Sequence, residues 1–308
     1  MTYYRHNIYI AELDAEMKVT KAPVLATQRF LNSNRNPAWS PDGQSLAYYS
    51  SRPGTGTVLV IQDDNTGAER DFPLRFKQLE IPAGITAGPP RWFPDNRSLL
   101  VVSQDMKGEQ PVLGYHRVDL ASGNAELLRT TRRRGNPFNR PDVSPDGKVI
   151  FHADRPGPRL LRFDIESHAV TEVKPASEAF LTAFAVSPDG AQVALTSGDS
   201  LEILPAAGGA PRELYRGSRL GNAPMNALAW TPDQRYVLLA MAEGGAEASD
   251  LWRIPVTGGA PQKVISMGII KSPHVHPDGR RLAFGSTETG TAALWALENF
   301  LPTAAAGK

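Results

Sequence analysis

The chain has 308 residues, 33 lysines and arginines against 32 aspartates and glutamates, and a formal net charge of +1, so no global charge argues for nucleic acid or an anionic membrane. It contains no cysteine, which excludes disulfides and thiol chemistry but leaves the compartment open. No apolar run is as long as a membrane-spanning helix and Met1–Arg5 lacks the core of a signal peptide, while 27 glycines and 26 prolines call for many tight turns.

From the N-terminus, Asn7–Leu13 and Met17–Thr27 read as two strands with no hairpin before them. The first full unit follows: Pro37-Ala38-Trp39-Ser40-Pro41-Asp42-Gly43, then the apolar run Leu46-Ala47-Tyr48. Related segments recur around Pro94, Pro145, Pro188, Pro232 and Pro277, so successive prolines from Pro41 onward lie 53, 51, 43, 44 and 45 residues apart. Repetition at this period is the mark of a propeller or a solenoid.

Each unit has a physical reading. Two residues before the proline stands Trp39, Trp92, Val143, Val186, Trp230 or Val275, one face of a short strand. Pro-Asp-Gly then suits a tight turn: proline presets φ, aspartate bonds the local backbone and glycine takes the left-handed position. Asn96 replaces that glycine tolerably and Gln234 less comfortably. The alternating run beyond completes a β-hairpin, and six are predicted, over 37–50, 90–103, 141–154, 184–197, 228–241 and 273–286. A second strand pair follows each hairpin, as in Leu251–Ile265 with its turn at Gly258-Gly259. Four strands repeated six times predict an all-β chain, a six-bladed β-propeller of antiparallel blades over residues 1–302, with 303–308 a flexible tail.

The Ser/Thr-Pro-Asp-Gly hairpin followed by a Leu-Trp and Gly-Gly strand pair resembles the TolB-like, or PD40 (WD40-like), propeller repeat, over nearly the whole chain. The resemblance implies a periplasmic or extracytoplasmic place and a protein partner. Leu297–Pro302 resembles the end of such domains in bacterial receptor kinases and transcriptional regulators, which would make the chain a ligand-sensing part of a larger protein.

Ring closure must join the ends. The strand around Lys18–Leu25 is expected to complete the last blade, and Ile8–Leu13 competes with Ala293–Leu297 for the strand beside it. Longer connections should gather on the face opposite the Pro-Asp-Gly turns, and that face with the channel mouth is the expected binding surface.

Candidate site residues come from two places. Three residues before each proline stand Ala38, Arg91, Asp142, Ala185, Ala229 and His274; the polar three, Arg91, Asp142 and His274, would either converge on a ligand or form a buried inter-blade ion pair beside a core histidine. The stretch Arg129–Arg140 is the one concentrated basic run, and Arg132, Arg133, Arg134 and Arg140, joined by Arg35, would suit an acidic partner or remain a solvated loop. A Ser-Asp-Arg-Gly type loop is common at this place in the family resembled, so the arginines of Ser50–Gly54 and Ala153–Gly157 read as loop braces rather than ligand contacts. His274 and His276 lie two apart with no cysteine or third ligand near, so neither a metal nor another cofactor is expected. Nucleophile-elbow, dinucleotide-loop, phosphate-loop and zincin patterns are absent. The expectation is a monomeric, non-catalytic binding or scaffolding propeller that engages a protein segment or small anionic ligand, without nucleic acid or membrane insertion. A propeller enzyme of the lyase or lactonase type, with His/Arg/Asp or metal chemistry in the channel, is the contrasting reading.

Overall fold

The computed structural model describes residues 2–27, 29–54, 56–72, 79–80, 88–105, 112–130, 141–154, 159–175, 181–218, 220, 227–242 and 248–291. In chain order the strands are β1 (Thr2–Glu12), β2 (Val24–Leu25), β3 (Asn34–Trp39), β4 (Ser45–Arg52), β5 (Gly56–Asp63), β6 (Glu69–Phe72), β7 (Leu79–Glu80), β8 (Arg91–Trp92), β9 (Ser98–Asp105), β10 (Val112–Asp119), β11 (Ala125–Thr130), β12 (Asp142–Val143) and β13 (Val149–Asp154). They continue with β14 (Arg159–Asp164), β15 (Val170–Lys174), β16 (Leu181–Val186), β17 (Gln192–Ser197), β18 (Ser200–Pro205), β19 (Arg212–Arg216), β20 (Leu228–Trp230), β21 (Tyr236–Met241), β22 (Asp250–Pro255), β23 (Gln262–Ser266), β24 (Ile269–Val275) and β25 (Arg281–Thr291).

These strands form six antiparallel blades, five of them meanders from an inner to an outer strand and the sixth assembled in the order β24, β25, β1, β2; in the second blade the inner strand is in two pieces, β7 and β8, both paired with β9. The protein is an all-β, six-bladed propeller.

The Pro-Asp-Gly turns behave as their chemistry dictates. In all six, the aspartate carboxylate accepts the backbone N–H two residues on, as from Gln44 to Asp42 and Ala191 to Asp189, both at 3.0 Å. Where a hydroxyl precedes the proline it donates to the same carboxylate, for instance Ser187 to Asp189 at 2.6 Å. That hydroxyl hydrogen bond and the backbone one from Ala191 hold Asp189 below the usual carboxylate range. Each first turn is tied to the second hairpin of its own blade by one backbone bond, such as Asp64 N–H to Gln44 C=O at 2.9 Å.

The sixth blade settles the competition at the seam. β1 pairs with β25 over eleven residues, from Thr2 opposite Thr291 to Glu12 opposite Arg281, and β2 pairs with β1 at Val24 and Leu25. Leu13 N–H donates to Arg280 C=O at 2.7 Å, the same bond that ties the paired turns of the other blades. Ile8–Leu13 therefore takes the third-strand role; Ala293–Leu297 lies outside the described residues, as does the segment 303–308.

Six apolar clusters fill the gaps between neighbouring blades, one in each. Leu99 and Val101 join Ala47 and Tyr49 in the first gap, while Leu100 and Val102, on the other face of the same strand, join Ile150 and Phe163 in the second. This is why the second strands are buried at nearly every position: a blade has two covered faces, so both halves of the period-two pattern are apolar. The seam is filled like the rest, with Ile8 and Ala283 against Trp39, Leu46, Tyr48 and Val60.

Candidate functional site

The inner strands β8, β12, β16, β20 and β24, with the turn after β3, enclose a cavity of about 370 Å³ at the end of the central channel where the six turns meet. All six turn prolines line it. Arg91, Asp142 and His274 face it together with Trp92, Trp230, Ala185 and Ala229. Structure thus brings the three polar candidates to one cavity, but it also gives each of them work between blades.

The N–H two residues before each turn proline points away from its own hairpin, because the N–H of the next residue is the one that closes it, as Ser40 N–H does to Ser45 C=O at 2.8 Å. A residue on the neighbouring blade can accept that exposed donor. Asp142 does so for Val186 N–H at 3.0 Å, and its other carboxylate oxygen accepts Val143 N–H at 3.1 Å. His274 does so through Nδ1 for Trp39 N–H at 3.3 Å, leaving the neutral ring's proton on Nε2. Arg91 Nε lies 3.3 Å from Asp142 Oδ1 across the gap between the second and third blades. Elsewhere an indole makes the tie: Trp92 Nε1–H donates to Ala38 C=O at 3.0 Å and Trp230 Nε1–H to Ala185 C=O at 2.9 Å.

Electrostatics follow from this packing. Burial, with Arg91 and His276 adding like-charge repulsion, pushes the His274 imidazolium pKa down to about 3, although part of the residue still faces the cavity. His274 is therefore neutral near pH 7 and cannot cycle a proton there. His276 contacts the adjoining blade instead, its Nε2 3.0 Å from Gly43 C=O, while its Nδ1 receives Asp278 N–H at 3.1 Å. Among the described residues no group of three or more histidines and acids could hold a metal ion.

Other candidates lie elsewhere. Arg132, Arg133, Arg134, Arg140 and Arg155 fall outside the described residues. Arg35 lies on β3 near the opposite end of the channel, donating to Thr57 Oγ1 at 3.2 Å. Arg52 forms a two-pronged ion pair with Asp71 and stacks over Phe30 at 4.1 Å, as a brace would. The described cavity sits at the turn end of the channel rather than among the longer connections, most of which lie outside the described residues. The roles of Trp92 and Trp230 were not read from sequence, although their shared position two residues before a turn proline was the available signal.

The chain is 38% identical over 74 residues to the uncharacterized peptidase YuxL of Bacillus subtilis, and 26% identical over 192 residues to the uncharacterized protein Atu1656 of Agrobacterium fabrum. These matches cover 24% and 58% of this chain, and only 10% and 60% of those two relatives. Among solved structures, the candidate TolB of Agrobacterium tumefaciens superposes with a TM-score of 0.69 over 94% of this chain and 100% of that one, at 15% identity. Oligogalacturonate lyase from Vibrio parahaemolyticus superposes with a TM-score of 0.56 over 91% and 77%, also at 15% identity. Likeness at that identity establishes the fold and leaves function to the site. The sequence itself matches the lipoprotein LpqB β-propeller domain over residues 18–269, and with six blades of the TolB-like kind the chain belongs to that family.

Proposed function

We propose that this propeller is a non-catalytic binding module of the cell envelope, and that the cavity ringed by the six turn prolines receives a segment of a partner protein. The observation that carries this reading is the cavity's make-up: a largely apolar mouth whose titratable residues are engaged in holding neighbouring blades together. Prolines and two indoles offer contact surface at little ordering cost. Arg91, Asp142 and His274 fix the shape of the wall, and His274, neutral near pH 7, offers no base for chemistry there. An envelope location rests on the family's description as a lipoprotein domain. The basic run holding Arg132, Arg133, Arg134 and Arg140 lies outside the described residues, and its charge alone assigns it to contact with acidic groups on a partner.

The test is selection from a randomised peptide library displayed on phage, against the immobilised protein. Selected peptides are expected to lose at least tenfold in affinity when Ala229→Phe narrows the cavity, with far-UV circular dichroism and Tm retained. Ala185→Leu on the neighbouring blade serves the same purpose if Ala229→Phe does not fold. Peptides that bind both forms equally would remove the cavity from the function.

A further inference from the structure

Arg35 and Tyr49 are cross-strand partners on β3 and β4, so their side chains leave the sheet on one face. They stand at the end of the blade away from the Pro-Asp-Gly turn: Arg35 lies six residues before Pro41, and Thr57, which receives the Arg35 hydrogen bond, is the second residue of β5. Two features here lack a structural explanation. The half-buried Arg35 guanidinium has no carboxylate within ion-pair distance among the described residues, whereas nearby Arg52 has Asp71. Tyr49 is fully buried, and its hydroxyl has no hydrogen-bond partner among the described residues.

Each feature is costly alone. A buried, unpaired hydroxyl gives up its hydration for nothing, and a guanidinium removed from water without a counter-charge is disfavoured. Burial accordingly lowers the Arg35 pKa and raises that of Tyr49, and each feels the other's charge. The surroundings are basic as well: beyond its own burial, His6 is pushed down by Lys271 and Arg35, while hydrogen-bonded to Thr287 Oγ1 at 3.0 Å. One addition resolves both costs, an acceptor carrying negative charge.

We propose that Arg35 and the Tyr49 hydroxyl form a binding site for a small oxyanion, a carboxylate or a phosphate, at the end of the propeller opposite the proline ring. The guanidinium supplies charge and a planar pair of donors, and the phenol supplies one more donor. This site shares no residue with the cavity proposed for the partner segment, so either can fail without the other.

Thermal unfolding and isothermal titration with inorganic phosphate, with acetate, and with chloride at matched ionic strength test it on the wild type, Arg35→Met and Tyr49→Phe. Phosphate or acetate should raise the wild-type Tm by several degrees once well above its Kd, with chloride ineffective and the shift lost in Arg35→Met. Whichever oxyanion acts distinguishes phosphate from carboxylate recognition. Tyr49→Phe should weaken binding about tenfold, the loss expected for one hydrogen bond to a charged group, while raising the ligand-free Tm because an unsatisfied buried hydroxyl is gone. An equal shift with chloride, a shift that survives in Arg35→Met, or Tyr49→Phe affinity equal to wild type would each overturn the proposal. Should Arg35→Met not fold, Tyr49→Phe decides the matter, since it changes no shape.

Discussion

Asp142 and His274 hold the same position in the third and sixth blades and answer the same need, acceptance of an N–H that the neighbouring hairpin leaves outside its own ladder. An unmet donor at such a place costs about 1–3 kcal/mol, reason enough for polar residues on an otherwise small-residue wall. The imidazole brings a pH dependence that the carboxylate does not. Its folded-state pKa is depressed to about 3 from an ordinary 6.5, so its stabilising share is complete above pH 6.5 and is lost as pH falls from there toward 3. The slope is at most about 1.4 kcal/mol per pH unit. Urea unfolding at pH 7, 5.5 and 4.5 should show the wild type losing stability more steeply than His274→Asn, which keeps an acceptor but does not titrate. Equal slopes would mean that His274 titrates in the folded protein as it does in the unfolded chain. Sequence placed these residues on the correct strand face because period two reports faces. It could not say whether they served a ligand or a neighbour, since that depends on which backbone donor the next blade presents.

At the level of the turn, glycine meets two separate demands. Gly43, Gly147 and Gly279 have φ of +72°, +72° and +71°, the region that favours glycine. A Cβ at Gly147 would also lie 2.9 Å from Pro94 Cδ of the preceding blade, whereas at Gly279 it would meet nothing within 4 Å. Gly279→Ala should therefore cost only the backbone penalty, about 1–2 kcal/mol, and Gly147→Ala roughly 1–3 kcal/mol more from crowding. Urea midpoints of the two variants measure the difference; equal losses would show that the turn shifts freely against its neighbour. The two turns without glycine reveal what crosses that gap. Asn96, at φ +54°, accepts Asp42 N–H through its side-chain oxygen at 3.0 Å. Gln234, at φ +59°, donates to both Asp189 oxygens at 3.1 and 3.0 Å with its amide nitrogen turned toward them. Gln234 reads as an awkward replacement in sequence because the turn chemistry is local, and its compensation comes from a residue 45 positions earlier.

For the molecule as a whole, the repeat made the architecture legible: each hairpin carries its own turn signal, and six copies leave little choice of fold. Closure was less legible, because Ile8–Leu13 and Ala293–Leu297 carry similar strand patterns and only pairing chooses between them. The ring depends on that pairing. β1 supplies the third strand of the sixth blade, and Ile8 closes the apolar gap to the first. Removing residues 2–12 should leave β25 with an open edge and the seam unfilled. Size-exclusion chromatography and thermal unfolding should then show association and loss of the single cooperative transition. A monomer that still unfolds in one step would mean that the remaining five interfaces suffice.

The ladder that closes the ring begins with Thr2 opposite Thr291, so the two strands enter it side by side and run in opposite directions. Tension applied between residues 2 and 291 would load its rungs one after another instead of all at once. A ring whose circumference is held by six packed wedges thus has a soft direction under traction: it would peel from this one point, losing each rung's few hydrogen bonds in turn, whereas a pull along the length of any blade would have to shear a whole strand at once.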